Sequence, residues 1–213
     1  MTDPRLWLLD AAFEAFVPLH WLAAANLEEI LNRPGHGLSA ADIATELANG
    51  LEAGELRIRA DPQLQLDVRA LSRQDLFRLI AQPINDYQPC WFGLTGSGGA
   101  IWEHHVRPDW RRYGTHALGV SSGRIEAACD HLAEEILELA GHIIGREPRP
   151  ASIRRSKLRP WTATYWKTLP EGFRITFNLG RQRGGAPGTR APAILSRWAE
   201  LMDFHWRGIP QGN

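Results

Sequence analysis

Lysine, cysteine and long apolar runs are all scarce in this chain. Of its 24 basic residues, Lys157 and Lys167 are the two lysines and the other 22 are arginine. Such a skew accompanies a GC-rich coding sequence, so no single arginine is diagnostic. Cys90 and Cys129 are the only cysteines, which excludes a disulfide framework and is too few for a cysteine zinc site. No run approaches the roughly 18 apolar residues of a membrane helix. The N-terminus lacks a basic region, and Asp10 and Glu14 interrupt its apolar residues, so it does not read as a signal peptide. These absences predict a soluble, cytoplasmic protein with no membrane partner. There is no internal repeat. Gly96-Ser-Gly-Gly99 lacks the Gly-Lys-Ser/Thr ending of a phosphate loop, and Thr95 stands where a nucleophile elbow around Ser97 would need glycine.

What is present is an ordinary globular composition. The 213 residues are 44% hydrophobic and 23% charged, with nine Trp and seven Phe as large fillers. A chain of this length buries enough surface to fold without staples. Net charge is zero, yet the halves differ. Residues 1–115 hold 10 Arg against 15 Asp and Glu, a net −5, and residues 116–213 carry +5. Within Arg146–Arg197, 12 basic residues face only Glu147 and Glu171. That asymmetry is the clearest partner signal.

Local signals outline the elements. Asp3 and Pro4 predict a helix start, with Leu6, Leu9, Phe13 and Phe16 at helical spacing. A second helix is expected from His20 to Asn32. Ser39-Ala-Ala-Asp42 and Ser72-Arg-Gln-Asp75 read as capping boxes. Glu55–Ala60 alternates polar and apolar residues, and Leu64, Leu66 and Val68 alternate again, which predicts a hairpin. Trp91–Leu94 reads as a strand, Gly96–Gly99 as a turn, and Ala100–Tyr113 as partly helical, limited by Pro108. Gly114–Gly123 reads as a linker. Ile125, Cys129, Leu132, Ile136, Leu139 and Ile143 line one stripe, predicting a long amphipathic helix over Arg124–Ile144. Gly145–Arg159 is a basic connection. Leu158–Thr168 and Gly172–Leu179 read as two strands of a hairpin, Arg181–Arg190 as a Gly/Arg-rich loop, and Pro192 opens a final helix.

Phe92-Gly-Leu-Thr-Gly-Ser-Gly98 resembles the end of the wing in winged helix-turn-helix proteins, where aromatic-x-Leu-Thr-x-x-Gly runs into a helix. The resemblance covers Phe92 to Trp102, and Thr95 can cap the turn that follows. It implies a recognition helix before the wing, which is Ser72–Ala81, with Arg73, Gln74 and Arg78 as the side chains offered to a DNA groove. The sequence departs from the family pattern in two ways. A hairpin intrudes at Glu55–Ala70, and the half is acidic where phosphate neutralisation would favour a basic one.

Two further constellations carry chemistry. Arg154, Arg155 and Arg159 precede Trp161 and Trp166, and Arg181 and Arg183 follow. Cations interleaved with aromatics suit an acidic protein surface or nucleic acid. His131, Glu135, Glu138 and His142 are spaced 4, 3 and 4, which places four metal-ligating side chains on one helical face. Glu103-His104-His105 lacks zincin spacing.

The expected fold is α+β. A helix-rich, winged-helix-like domain spans residues 1–113, and a smaller basic α/β domain with a long amphipathic helix and a β-hairpin spans residues 124–213. The expected function is that of a non-catalytic bacterial interaction or regulatory protein. It would hold an acidic macromolecular partner, protein or nucleic acid, through its C-terminal half, with no cofactor and no catalytic residue assigned. The alternatives are a winged-helix DNA-binding regulator and a metal-dependent enzyme using the His/Glu face.

Overall fold

Helix α1 (Pro4–Ala11) begins where the Asp3 carboxylate accepts the Arg5 amide at 2.9 Å. Pro4 sits at its first turn, where a missing N–H is no loss. The computed structural model that shows this describes residues 3–31, 35–63, 67–82, 90–182 and 192–202. Those residues group by their contacts into two units. The first is Met1–His105 together with Thr164–Lys167, and the second is Val106–Ala163 with Thr168–Asn213. Helices and antiparallel sheets coexist in an α+β arrangement. No helix of the described residues is long and apolar enough to cross a membrane.

In the first unit, β1 (Val17–Pro18), a 3-10 turn (Leu19–Ala23) and α2 (Leu27–Leu31) follow α1. The expected continuous helix from His20 is thus a 3-10 turn and a short helix. Helix α3 (Ala40–Glu52) then leads into β2 (Leu56–Ala60), α4 (Arg73–Ile80), β3 (Cys90–Leu94) and α5 (Gly96–Val106). Both capping boxes form, Ser39 with Asp42 and Ser72 with Asp75. The sheet order is β1-β3-β2. Strand β2 pairs with β3, Leu56 opposite Leu94 and Ala60 opposite Cys90. This corrects the expected hairpin. Val68 lies in a turn, and Leu64 and Leu66 lie outside the described residues.

One face of this sheet is core. Val17, Phe92, Leu56 and Leu94 are buried there, and Ile43 and Leu47 of α3 and Leu76 of α4 are buried in the same unit. Gly96–Gly99, expected as a turn, is the first turn of α5. Thr95 Oγ1 accepts the Gly98 amide at 3.1 Å and so caps it. The glycines are there for close approach. A Cβ on Gly98 would stand 2.0 Å from the Glu55 carbonyl oxygen, and one on Gly99 would stand 2.1 Å from the Trp166 ring.

The second unit is built on β4 (Gly114–Leu118), β5 (Ser122–Ala127), α6 (Asp130–Ile144), β6 (Arg146–Pro148), β7 (Arg154–Leu158), β8 (Trp161–Thr162), β9 (Thr168–Leu169), β10 (Gly172–Gln182) and α7 (Pro192–Met202). Strand order is β4-β5-β10, with β7 and β6 both pairing along β10. Helix α6 covers one face, where Ile125, Ala127, Ile175, Phe177 and Leu179 meet Leu132, Ala133, Ile136 and Leu139. Gly145, left-handed at φ 64°, ends α6.

Four expectations are corrected here. The stretch assigned to the start of the long helix, Arg124–Ala127, is strand. The supposed linker Gly114–Gly123 supplies β4 and the start of β5. The basic connection Gly145–Arg159 contains β6 and β7. Strand β10 appears where expected, but its hairpin partner Leu158–Thr168 does not. That segment gives the last residue of β7, the two-residue β8 and the stretch Thr164–Lys167 that joins the first unit.

Candidate functional site

On the second face of the β1-β3-β2 sheet the two-residue period of a strand places Arg57 and Arg59 side by side. Arg59 stands opposite Trp91, and Arg57 stands opposite Gly93. Gly93 leaves room for two rings. Its missing Cβ would lie 2.7 Å from the Phe16 ring and 2.9 Å from the Tyr165 hydroxyl. Phe16 and Tyr165 pack at 4.5 Å between centroids. The Arg57 guanidinium carbon lies 5.1 Å from the Phe16 centroid and 5.5 Å from that of Tyr165, and Arg59 is 5.9 Å from Phe16. Guanidinium on aromatic contributes about 0.5–1 kcal/mol at an exposed site and holds the cation in place.

Tyr165 belongs to the four-residue stretch that returns to this unit. Strand β1 is two residues long, so β3 outruns it. The Tyr165 hydroxyl accepts the Leu94 amide at 2.5 Å and donates to the Ala12 carbonyl at 2.6 Å. Burial pushes its pKa up to about 12, so it stays protonated and keeps that donor. Beside it Trp166 donates to the Phe13 carbonyl at 2.7 Å, and Lys167 pairs with Glu103 at 2.5 Å.

Arg57 also borders a cavity of about 740 Å³ along the outer edge of β2. Its walls are Ala48, Leu51 and Glu52 of α3, Arg57 and Ile58, and Val68, Arg69, Leu71, Ser72 and Arg73. Arg57, Arg59, Arg69 and Arg73 are exposed and form no ion pair with a described carboxylate. Arg73 donates to the Asn49 side chain at 3.4 Å. Among the described residues Glu52 is the one carboxylate in the wall.

The residues expected to hold a partner are placed differently. Trp161 is 1% exposed, and its indole N–H donates to Glu126 at 2.9 Å. Arg174 and Arg124 neutralise the same carboxylate, at 2.9 and 3.5 Å. Trp161 is therefore core and cannot anchor a partner. Arg155 is bound to Glu134 at 2.5 Å and Arg159 to Glu171 at 2.7 Å. Arg154 donates to the Ala151 and Ile153 carbonyls at 3.0 and 3.1 Å. Trp166 serves the first unit, not the second. Arg181 is a position in β10, and Arg183 lies outside the described residues. Among the described residues, the two tryptophans do not join the arginines in one surface, because Trp161 is buried and Trp166 belongs to the first unit.

Of the side chains expected to read DNA, Arg73 reaches the cavity, Gln74 is exposed on α4, and Arg78 pairs with Asp75 at 3.4 Å. The metal face is corrected. His131, Glu135, Glu138 and His142 do line one open cavity of about 830 Å³. Glu135, however, is held by Arg197 at 2.5 Å, and no cluster of three or more His, Cys, Asp or Glu among the described residues has metal-binding geometry.

Sequence reasoning pairs Arg57 with Arg59 through alternation, but it misses Phe16 and Tyr165, because nothing local ties either ring to this strand. The chain matches no family model, no curated protein and no solved structure.

Proposed function

We propose that this is a non-catalytic interaction protein that holds an acidic partner protein on the arginine face of its first unit. The observation that supports the reading is that Arg57, Arg69 and Arg73 border one cavity, with Arg59 beside Arg57 on the same face of β2, and that none of the four pairs with a described carboxylate. Two of the four rest on Phe16 and Tyr165, so little side-chain freedom is lost when they meet a carboxylate. Arginine beside aromatic rings is also the composition that carries most binding energy at protein interfaces. A protein partner is favoured over duplex DNA because this half of the chain carries −5, which opposes a polyanion as a whole while leaving a local cationic patch intact.

The test compares wild type with the double variant Arg57→Glu/Arg59→Glu, each immobilised and exposed to extract of the source cell. Mass spectrometry identifies what is retained. An acidic protein retained by wild type and lost from a variant of unchanged thermal stability supports the reading. Identical retention by both ends it.

The second reading is the winged-helix DNA-binding regulator. Its support is Arg73, which opens α4 and lines the same cavity. Removing Arg73 should then flatten the fall of duplex affinity with salt by about one unit of log–log slope.

A further inference from the structure

Strand β7 reads Arg154-Arg-Ser-Lys-Leu158, and its residues 154–157 are all exposed. It pairs with β10, Arg154 opposite Thr176 and Leu158 opposite Gly172, and with no other strand among the described residues. On its outer side alternate residues therefore present backbone N–H and C=O groups that no described strand satisfies. The opposite edge of the same sheet, β4, is different. It carries no arginine or lysine, and its His116 ring packs on Trp198 of α7 at 4.8 Å.

An open edge ordinarily invites a second copy of the same chain. Here like charges oppose that. Two β7 strands laid side by side would bring Arg154, Arg155 and Lys157 against their own copies, which is the device by which edges avoid self-association. The same charges favour an acidic strand. The side chains alternate, so Arg154 and Ser156 stand on one sheet face, while Arg155 and Lys157 stand on the face covered by α6. An added strand with carboxylates on both of its faces meets a cation on each. Lys157 has no ion-pair partner among the described residues, and Arg154 gives hydrogen bonds only to its own neighbouring carbonyls. Arg155 is held by Glu134, but both side chains of that pair are more than 40% exposed, so an incoming carboxylate competes for it in water at small cost.

We infer that β7 is a docking edge for an extended acidic segment of a partner protein, which adds to the sheet as a strand. Backbone hydrogen bonds supply attachment and the three cations supply selection. This site is separate from the arginine face of the first unit, and neither reading depends on the other.

The experiment uses the full chain and three blocked, fluorescent eight-residue peptides of one sequence, rich in Glu with Val and Thr. One is unmodified, and two are N-methylated at alternate residues in opposite phase. A strand has two edges, and only one faces β7. Strand addition therefore predicts that one methylated peptide loses at least about tenfold in affinity while the other binds as the parent does. Amide protection by hydrogen exchange should rise at residues 154–158. The variant Arg154→Glu/Lys157→Glu, whose changes fall at exposed positions, should weaken the parent peptide by a similar factor. Equal binding of all three peptides, or no binding of the parent, overturns the inference. So does retention of parent affinity by the charge-reversed variant. Because the peptides are scored on β7 alone, failure here leaves the retention test of the Arg57 face unaffected.

Discussion

Gly98 carries the sharpest constraint on any single residue. A methyl group there would meet the backbone carbonyl oxygen of Glu55 at 2.0 Å, and backbone cannot swing aside as a side chain can. Gly98→Ala should cost about 1–3 kcal/mol as overpacking, seen as a lowered midpoint in urea with unchanged slope. A midpoint equal to wild type would show that α5 moves freely away from β2. At this scale the sequence was partly legible. Thr95 was readable as a cap because its hydroxyl acts within three residues. The role of the glycines beside it was not, since the atoms they make room for lie at Glu55 and Trp166. Likewise the alternation of Arg57 and Arg59 predicts a shared face, while the rings beneath them come from distant positions that no local pattern connects.

Among the elements, helix starts were the legible feature and strands were not. Asp3, Ser39, Ser72 and Pro192 all mark real helix beginnings, because capping is a contact between neighbours. Ser39→Ala should remove the α3 cap and cost about 1 kcal/mol, measurable as a drop in unfolding free energy with retained helix signal. No change would mean that packing of Ile43 and Leu47 alone fixes the start of α3. Strand β5 was hidden because Ile125 falls in step with the apolar stripe of α6. The competing signal was the alternation of buried Gly123, Ile125 and Ala127 with Ser122, Arg124 and Glu126. Strand β7 has no apolar alternation to read, since it buries neither face at residues 154–157. Period-2 patterns report half-burial, so an exposed edge leaves no trace in them.

For the whole molecule, the division of charge along the chain is not a division of exposed charge. Among residues 116–213, Arg124, Arg155, Arg159, Arg174 and Arg197 are paired with carboxylates of the same half, at Glu126, Glu134, Glu135 and Glu171. The acidic half, meanwhile, leaves Arg57, Arg59, Arg69 and Arg73 exposed and without an ion pair among the described residues. Composition counts charges but not their partners, which is why the candidate surface moved from one half to the other.

Stability as a function of pH is the global observable. His20 is 3% exposed, its Nε2 has no hydrogen-bond partner among the described residues, and burial lowers its pKa. Partial desolvation of the ring lowers that of His116 as well, although the residue is exposed at the surface. Folding thus favours the neutral rings. The unfolded chain takes up protons near pH 6.5, where the folded chain does not. Stability is therefore full above that value and declines as pH falls through the depressed folded values. Thermal midpoints recorded from pH 8 to pH 5 should be flat and then fall. His20→Phe should reduce the fall, and a midpoint that rises on acidification would contradict the assignment.

The stretch Thr164–Lys167 gives the first unit a timetable. Until residue 167 has left the ribosome, the Leu94 amide lacks the Tyr165 hydroxyl, and the space over Gly99 lacks the Trp166 ring. The N-terminal unit must wait, incomplete, through the synthesis of most of its successor. A nascent chain arrested before that point would be the species most in need of a chaperone.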